Sequence, residues 1–339
     1  MNRKLSVAVV GCGYWGPNLM RNFAENSRSR LAWLVDLDAA RAQRFADRYA
    51  GARATTSLAE ALADPQLDAV ALATPVSTHF PLARQCLAAG KSVLLEKPMA
   101  QTAAECRELT ALAEKNGVTL MVDHTFIYTG AVRKIRELIE SGELGEIYYF
   151  DSVRVNLGLF QHDVNVIWDL APHDLSIMDY VLGKRPTHVA AHGACHIAGS
   201  NIENIAYLTL KFADDTIAHF HVNWLAPAKI RRIIIGGSKK MLVFDDLSPD
   251  ERIKIYDKGL RFKDGAEVDS QVLAGYRIGD LHVPNIDGTE ALKRETDHFI
   301  DCVTERRRPE SDGEAGLRVV QVLVAAQESL ARQGAFVTL

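Results

Sequence analysis

The chain lacks what marks most specialised classes of protein. Its five cysteines, Cys12, Cys86, Cys106, Cys195 and Cys302, are scattered and odd in number. With no C-x-x-C pair and no histidine at zinc spacing, neither a disulfide framework nor a structural metal is expected. No block of lysine or arginine interrupts the net charge of −4, so nucleic acid and acidic membrane surfaces gain no electrostatic hold. No apolar run approaches the ~20 residues of a membrane span, and the opening run, Leu5–Val10, is too short even for a secretory core. A cytoplasmic location is the expectation. What remains is ordinary: 339 residues, 47% hydrophobic and 24% charged, enough for two domains with real cores.

The first third alternates short apolar runs with helical patterns, as βαβ units do. Strands are expected at Leu5–Val10, Leu31–Val35, Ala69–Ala73, Ser92–Leu95 and Thr119–Val122. Their continuous rather than alternating hydrophobicity suits strands buried on both faces of a parallel sheet. Ser57 with Glu60, and Thr102 with Glu105, have capping-box spacing. Gly90 and Gly117 stand where helices should stop. After about Asp123 the pattern changes. One amphipathic helix, Ala131–Ser141, precedes strand-like runs at Glu146–Val155, Ala206–Phe212, Thr216–Trp224, Arg231–Ile235, Met241–Phe244 and Ile253–Tyr256. Asp214-Asp215 marks a hairpin turn between two of them. Short connections imply a mainly antiparallel open sheet, which must cover its second face with helices or another subunit. The tail, Glu290–Val303 and Glu314–Ala331, is helical again. The expected division is a Rossmann domain over residues 1–123 and an α+β substrate and oligomerisation domain over 124–339.

Gly11-Cys12-Gly13-Tyr14-Trp15-Gly16 is G-x-G-x-x-G, placed directly after the first strand and opening a helix. Gly11 allows the tight turn, Gly13 the close approach of a pyrophosphate, and Gly16 tight helix–sheet packing. Asp36, at the tip of the second strand, suits the hydroxyls of an adenosine ribose. It would repel the 2′-phosphate of NADP, and the following Leu37-Asp38 brings no arginine, so NAD is favoured over NADP. Thr74, Pro75 and His79 follow a strand at the same edge, where open α/β sheets bind ligands.

Oxidising an alcohol needs a group to take the hydroxyl proton and another to polarise the oxygen. Lys97, in Glu96-Lys97-Pro98, lies just past a strand on the glycine-loop edge. Asp169 and His173 are four residues apart, so a helix would set them on one face, and the carboxylate could orient the imidazole. Pro172 belongs in a first helical turn, which makes the pair straddle a helix start. Ordinary roles remain open for each: a surface lysine, a helix cap, a satisfied core histidine. The pairs His162-Asp163 and His173-Asp174 also raise a metal phosphohydrolase, which the short spacing and the dinucleotide motif oppose. Metal is therefore not expected.

Together the glycine motif, Ala73-Thr74-Pro75-Val76-Ser77-Thr78-His79, Glu96-Lys97-Pro98 and Asp169-x-x-x-His173 resemble the Gfo/Idh/MocA oxidoreductases over essentially the whole chain, including Gly236-Gly237-Ser238-Lys239-Lys240-Met241. The resemblance implies that Lys97 contacts the reacting hydroxyl and the nicotinamide ribose. It implies that His173 is the acid/base, that Asp169 is its orienter or a substrate contact, and that a cis peptide precedes Pro98. The cofactor surface would comprise Gly11, Gly13, Tyr14, Trp15, Gly16, Asp36, Thr74, Pro75, His79, Glu96 and Lys97. The second sheet would mediate a homodimer or homotetramer. Gly13 to Asn18, His124-Thr125-Phe126 and Trp168 to Leu175 look most like the sugar-nucleotide branch, which acts at C3 of a pyranose. Arg154, Asn156, Gln161 and Asn165, with Lys97, Asp169 and His173, are the expected substrate contacts. An inositol or polyol dehydrogenase, and a glycoside hydrolase that oxidises C3 transiently, share the same residues.

Overall fold

The computed structural model describes residues 3–158, 164–261 and 275–339. The chain forms two units, residues 1–129 with 289–324, and residues 130–288 with 325–339.

The first unit opens with β1 (Leu5–Val10), α1 (Gly16–Glu25), β2 (Ser29–Val35), α2 (Ala39–Ala46), β3 (Arg53–Thr55) and α3 (Leu58–Leu62). It continues with β4 (Ala69–Leu72), α4 (His79–Ala88), β5 (Ser92–Glu96), α5 (Ala103–Asn116) and β6 (Leu120–Asp123). The six strands form one parallel sheet in the order β3-β2-β1-β4-β5-β6. Every residue of β1 and β4 is buried, which explains their unbroken apolar runs. Thr102 and Glu105 complete a capping box at α5, which ends on Gly117 in the left-handed conformation. Ser57 caps α3 only from one side, because Glu60 turns to Thr55 instead.

The second unit has α6 (Gly130–Glu140), β7 (Ile147–Leu157), α7 (Val166–Leu182), β8 (Pro186–Ala194), β9 (Ile205–Phe212), β10 (Ile217–Asn223), β11 (Leu225–Gly237), β12 (Met241–Asp245) and β13 (Ile253–Tyr256). A ribbon of β14 (Gly259–Arg261) and β15 (Gly275–Arg277) and the short β16 (Leu281–His282) follow. The chain then enters α8 (Ala291–Glu305) and α9 (Gly313–Ala331) and ends with β17 (Val337–Thr338). Nine strands make the second sheet, ordered β16-β13-β12-β11-β7-β10-β9-β8-β17. Asp215, with φ 61°, turns β9 into β10 as the acidic pair suggested. All pairings are antiparallel except β7 with β10. α7 lies on β7, β9 and β10. Along β7, β9 and β10, Phe150, Ser152, Leu208, Leu210, Phe220 and Val222 are buried, and Tyr207, His219 and His221 alternate onto the other face.

Residues 289–324 belong with the parallel sheet, unlike the division at residue 123 drawn from the sequence. Phe299 of α8 meets Phe23 of α1 edge-on, 6.2 Å between centroids, and Arg28 reaches Asp297 and Asp301. A Cβ on Gly316 of α9 would come within 2.7 Å of Val122 and 2.8 Å of Met99. An amphipathic helix in a linear sequence does not say which apolar surface it will cover, so its assignment had to come from packing.

Candidate active site

In the first unit the expected cofactor residues gather at the carboxyl edge of the sheet, where strand order reverses between β1 and β4. Gly11 turns at φ 93°, and a Cβ there would lie 2.3 Å from the Ala73 carbonyl oxygen. One on Gly16 would lie 1.9 Å from the Gly11 carbonyl oxygen, so both glycines are demanded by the protein's own backbone. A Cβ on Gly13 would meet nothing within 4 Å, which leaves bare backbone for a ligand to approach. α1 starts at Gly16 with a proline in its first turn, no acidic residue there and no side-chain cap. Pro17 brings no N–H and the Asn18 amide is taken by the Trp15 carbonyl (2.9 Å), so it is the positive dipole end behind the bare glycine turn that suits a pyrophosphate. Asp36 accepts from the Cys12 amide (2.7 Å) and the Asp38 amide (2.9 Å), which leaves carboxylate lone pairs for ribose hydroxyls. These features fit a dinucleotide.

One element of the electrostatics escaped the sequence. Arg41, on α2, reaches within 3.6 Å of Asp36 and 3.5 Å of Asp38. Arginine is therefore at hand near the ribose position, although not in the two residues after Asp36.

Not every expected cofactor residue points outward. Tyr14 is 88% exposed, but the Trp15 indole donates to Asp123 Oδ2 at 2.7 Å. His79 is buried, with both ring nitrogens 2.8 Å from carbonyl oxygens, those of Pro98 and Thr74. Its side chain is thereby used within the protein, and a direct cofactor contact is not open to it. The Lys97–Pro98 peptide is cis, and Lys97 is half-buried.

Beneath this edge lies a carboxyl cluster. Glu96 and Asp123 are register partners at the ends of β5 and β6, and Glu295 of α8 is completely buried beside them. Burial first, and then the Asp123 charge, push Glu96 and Glu295 well above the usual carboxyl range. Both are thereby disposed to keep their protons above the usual carboxyl range, beside Asp123, which accepts from Trp15 and from Thr125 Oγ1 (2.5 Å). A raised pKa contributes stability that is complete below the ordinary value and is lost as pH climbs through the raised one. Glu295→Gln keeps the shape and cannot ionise. Its stability relative to wild type should therefore rise with pH above about 4.5, by at most ~1.4 kcal/mol per pH unit. Urea midpoints from pH 5 to 9 test this, and a difference independent of pH would refute the protonated state. The adjacent His124 is pushed down to about 3 by burial and by the charges of Lys97 and Arg318, with neither ring nitrogen hydrogen-bonded. It is a neutral core ring.

In the second unit, α7 carries Asp169 and His173. The helix begins earlier than Pro172 suggested: Asn165 is its N-cap, accepting from the Trp168 amide at 3.2 Å, and Pro172 lies inside it. Asp169 and His173 are thus one turn apart on one helical face. Asp169 Oδ2 accepts from the Trp224 indole at 2.9 Å. Trp224 is buried, and a Cβ on Gly158 would come within 2.7 Å of it, so the ring that holds Asp169 is itself fixed.

Residues 5–124 match the oxidoreductase family with an NAD-binding Rossmann fold, GFO/IDH/MocA, and residues 132–243 match the C-terminal domain of the same family. The chain belongs to the GFO/IDH/MocA oxidoreductases. UDP-N-acetylglucosamine 3-dehydrogenase of Acidithiobacillus ferrooxidans is 28% identical, covering 97% of this chain and 99% of that one. Inositol 2-dehydrogenase 2 of Saccharopolyspora erythraea is 30% identical over 56% of this chain and 57% of its own. Among solved structures, GenD2 from gentamicin A biosynthesis, in complex with NAD, superposes with a TM-score of 0.84. It is 26% identical and covers 100% of this chain and 97% of that one.

Two expected substrate contacts of this oxidoreductase are otherwise occupied. Arg154 forks onto Asp174, Nε to Oδ2 at 2.9 Å and Nη2 to Oδ1 at 2.7 Å, with both side chains at most 5% exposed. Asn165, besides capping α7, donates to Glu203 and Gln327, each at 2.9 Å. Asn156 is half-buried on β7. Gln161, with His162-Asp163, lies outside the described residues. The sequence reading passed over Arg41, Asp123, Trp224 and Glu295. Glu295 had a signal: it falls on the buried stripe of α8 with Leu292, Thr296, Phe299 and Ile300, where an acid needs a special reason. Among the described residues no helix is long and apolar enough to cross a membrane.

Proposed function

We propose that this oxidoreductase is an NAD-dependent dehydrogenase of a secondary hydroxyl, at C3 of a sugar or sugar nucleotide. Bound NAD would supply the hydride acceptor. The observation that carries the reading is Lys97, held after β5 on the sheet edge that presents Gly13, the N-terminal end of α1 and Asp36. Lys97 would polarise the reacting oxygen and stabilise it as it becomes an alkoxide. His173 would take the hydroxyl proton. Asp169, fixed by Trp224, would orient the imidazole or hold a neighbouring substrate hydroxyl. Asn156 remains the candidate for a further substrate contact.

The nearly end-to-end similarity to a UDP-N-acetylglucosamine 3-dehydrogenase supports the sugar-nucleotide branch. The partial similarity to an inositol dehydrogenase keeps a polyol as the second substrate class. The half-exposed face of the second sheet, with Tyr207 43% exposed, supports a homo-oligomer built through it. A cytoplasmic location belongs to the same reading.

The test is NADH absorbance with purified protein, NAD and a panel of UDP-linked N-acetylhexosamines, their uronic acids, free sugars and inositols. A signal confined to one nucleotide sugar supports the branch. A signal with inositol alone moves the substrate class. Silence with NAD bound refutes net dehydrogenation. The cofactor choice has its own check. Wild-type protein should bind NAD more tightly than NADP, whereas Asp36→Ala should narrow or reverse the preference, because Arg41 then faces the 2′ position without a competing carboxylate. Fluorescence titration gives both constants, and NADP preferred by the wild type would overturn the assignment.

A further inference from the structure

The reading of Lys97 leaves open what holds that lysine in place. Its own turn is short and follows a strand end, so its position depends on what the following peptide touches. The Pro98 carbonyl oxygen lies 2.8 Å from His79 Nδ1, and the opposite ring nitrogen, Nε2, lies 2.8 Å from the Thr74 carbonyl oxygen. The imidazole therefore bridges the peptide after Lys97 and the loop after β4. That loop in turn abuts the glycine turn, since a Cβ on Gly11 would come within 2.3 Å of Ala73 and 3.1 Å of Thr74. His79 is the first residue of α4 and only 1% exposed, so its backbone is set by a helix and water cannot replace either contact. A second tie, Thr78 Oγ1 to Thr74 Oγ1 at 2.8 Å, closes the same loop onto the start of α4.

We propose that His79 is the positioning residue for Lys97: through Nδ1 it ties the Lys97–Pro98 turn to the start of α4, which the Thr78–Thr74 bond in turn closes onto the loop beside the glycine turn. The proposal deepens the dehydrogenase reading and rests on the part given there to Lys97. Both partners of the ring are carbonyl oxygens, which only accept. Burial pushes the imidazole down, against the pull of the two carbonyls, so near neutrality the ring is neutral and only one nitrogen can donate. The proposal places that proton on Nδ1, so that the Pro98 contact is the hydrogen bond and the Thr74 contact is a close approach only.

Two conservative variants separate the contacts. The amide nitrogen of asparagine stands as many bonds from Cβ as Nδ1 does, and that of glutamine as many as Nε2. His79→Asn should keep the Pro98 bond, whereas His79→Gln should donate toward the Thr74 carbonyl instead and lose the Pro98 bond. Turnover is measured with the panel member that gives the largest NADH signal, and NAD binding by fluorescence titration. Lys97 itself is read by competitive acetylation with acetic anhydride and peptide mass spectrometry. For His79→Gln we expect kcat to fall about tenfold to a hundredfold, the scale of a small misplacement of a reacting group. KM for NAD should stay near wild type, and the Lys97 acetylation rate should shift several-fold. His79→Asn should resemble wild type in all three. Equal impairment of both variants, or wild-type behaviour in both, overturns the proposal. If Lys97→Ala itself retains turnover, the role of the lysine fails separately. Acetylation then decides alone: a shift confined to His79→Gln upholds the positioning, and no shift overturns it.

Discussion

Lys97→Ala should lose turnover by about a hundredfold to ten-thousandfold while NAD binds as in the wild type. The reasoning is one of charge and place. Removing a proton from a secondary hydroxyl as hydride leaves its carbon develops negative charge on oxygen, and an ammonium at that oxygen stabilises the transition state more than the ground state. Asp36, Gly13 and the N-terminal end of α1, which fit the adenosine ribose and the pyrophosphate, are untouched by the substitution. Single-turnover NADH formation together with NAD titration makes the check. Retained turnover would remove Lys97 from the chemistry, and loss of NAD binding would make it a cofactor anchor instead. Lys97→Arg should also be poor, because a planar guanidinium cannot present a compact charge at the same point.

Arg154→Ala should cost stability, about 3–5 kcal/mol, rather than substrate affinity. The Arg154–Asp174 fork joins β7 to α7 with both charges out of water, so deleting the cation strands a carboxylate where little can solvate it. The double variant Arg154→Met with Asp174→Leu should recover most of the loss, since no charge is then left unpaired. Urea unfolding of wild type, single and double variants measures the coupling. An unaltered midpoint in the single variant, with a raised KM for the sugar, would restore Arg154 to the substrate site.

The contrast between Lys97 and Arg154 shows where sequence reasoning reaches and where it stops. The glycine motif, Asp36 and Glu96-Lys97-Pro98 were legible because each is local: a strand end, a turn and a few residues at fixed spacing. The partners of Arg154 and Asn165 were not legible because they are not local. Asp174 is met only when α7 folds over β7, and Glu203 and Gln327 only when distant parts of the chain converge on the start of α7. A polar side chain on a strand or at a helix start looks the same in a sequence whether it binds substrate or braces a helix. A strand as short as β3 carries too little periodicity to be read, β8 sets its apolar residues side by side at Val189-Ala190-Ala191 rather than alternating them, and the placement of α8 needed Phe23 and Arg28 as much as its own stripe. Glu295 and Asp123 were missed for the converse reason. Their significance lies in mutual proximity, which composition and spacing do not express.

The parallel pairing of β7 with β10 also bears on how the molecule comes into being. β7 is the first strand of its sheet to leave the ribosome, yet it lies in the middle of the nine, between β10 and β11. Both neighbours are made only after α7, β8 and β9 have emerged. For that interval the longest strand so far synthesised has no ladder to join, and its closure waits on distant segments. Assembly of the second sheet is thus slow by topology, and nascent chains carry an open edge prone to intermolecular pairing. Cooler, slower expression and early chaperone engagement would act on this window.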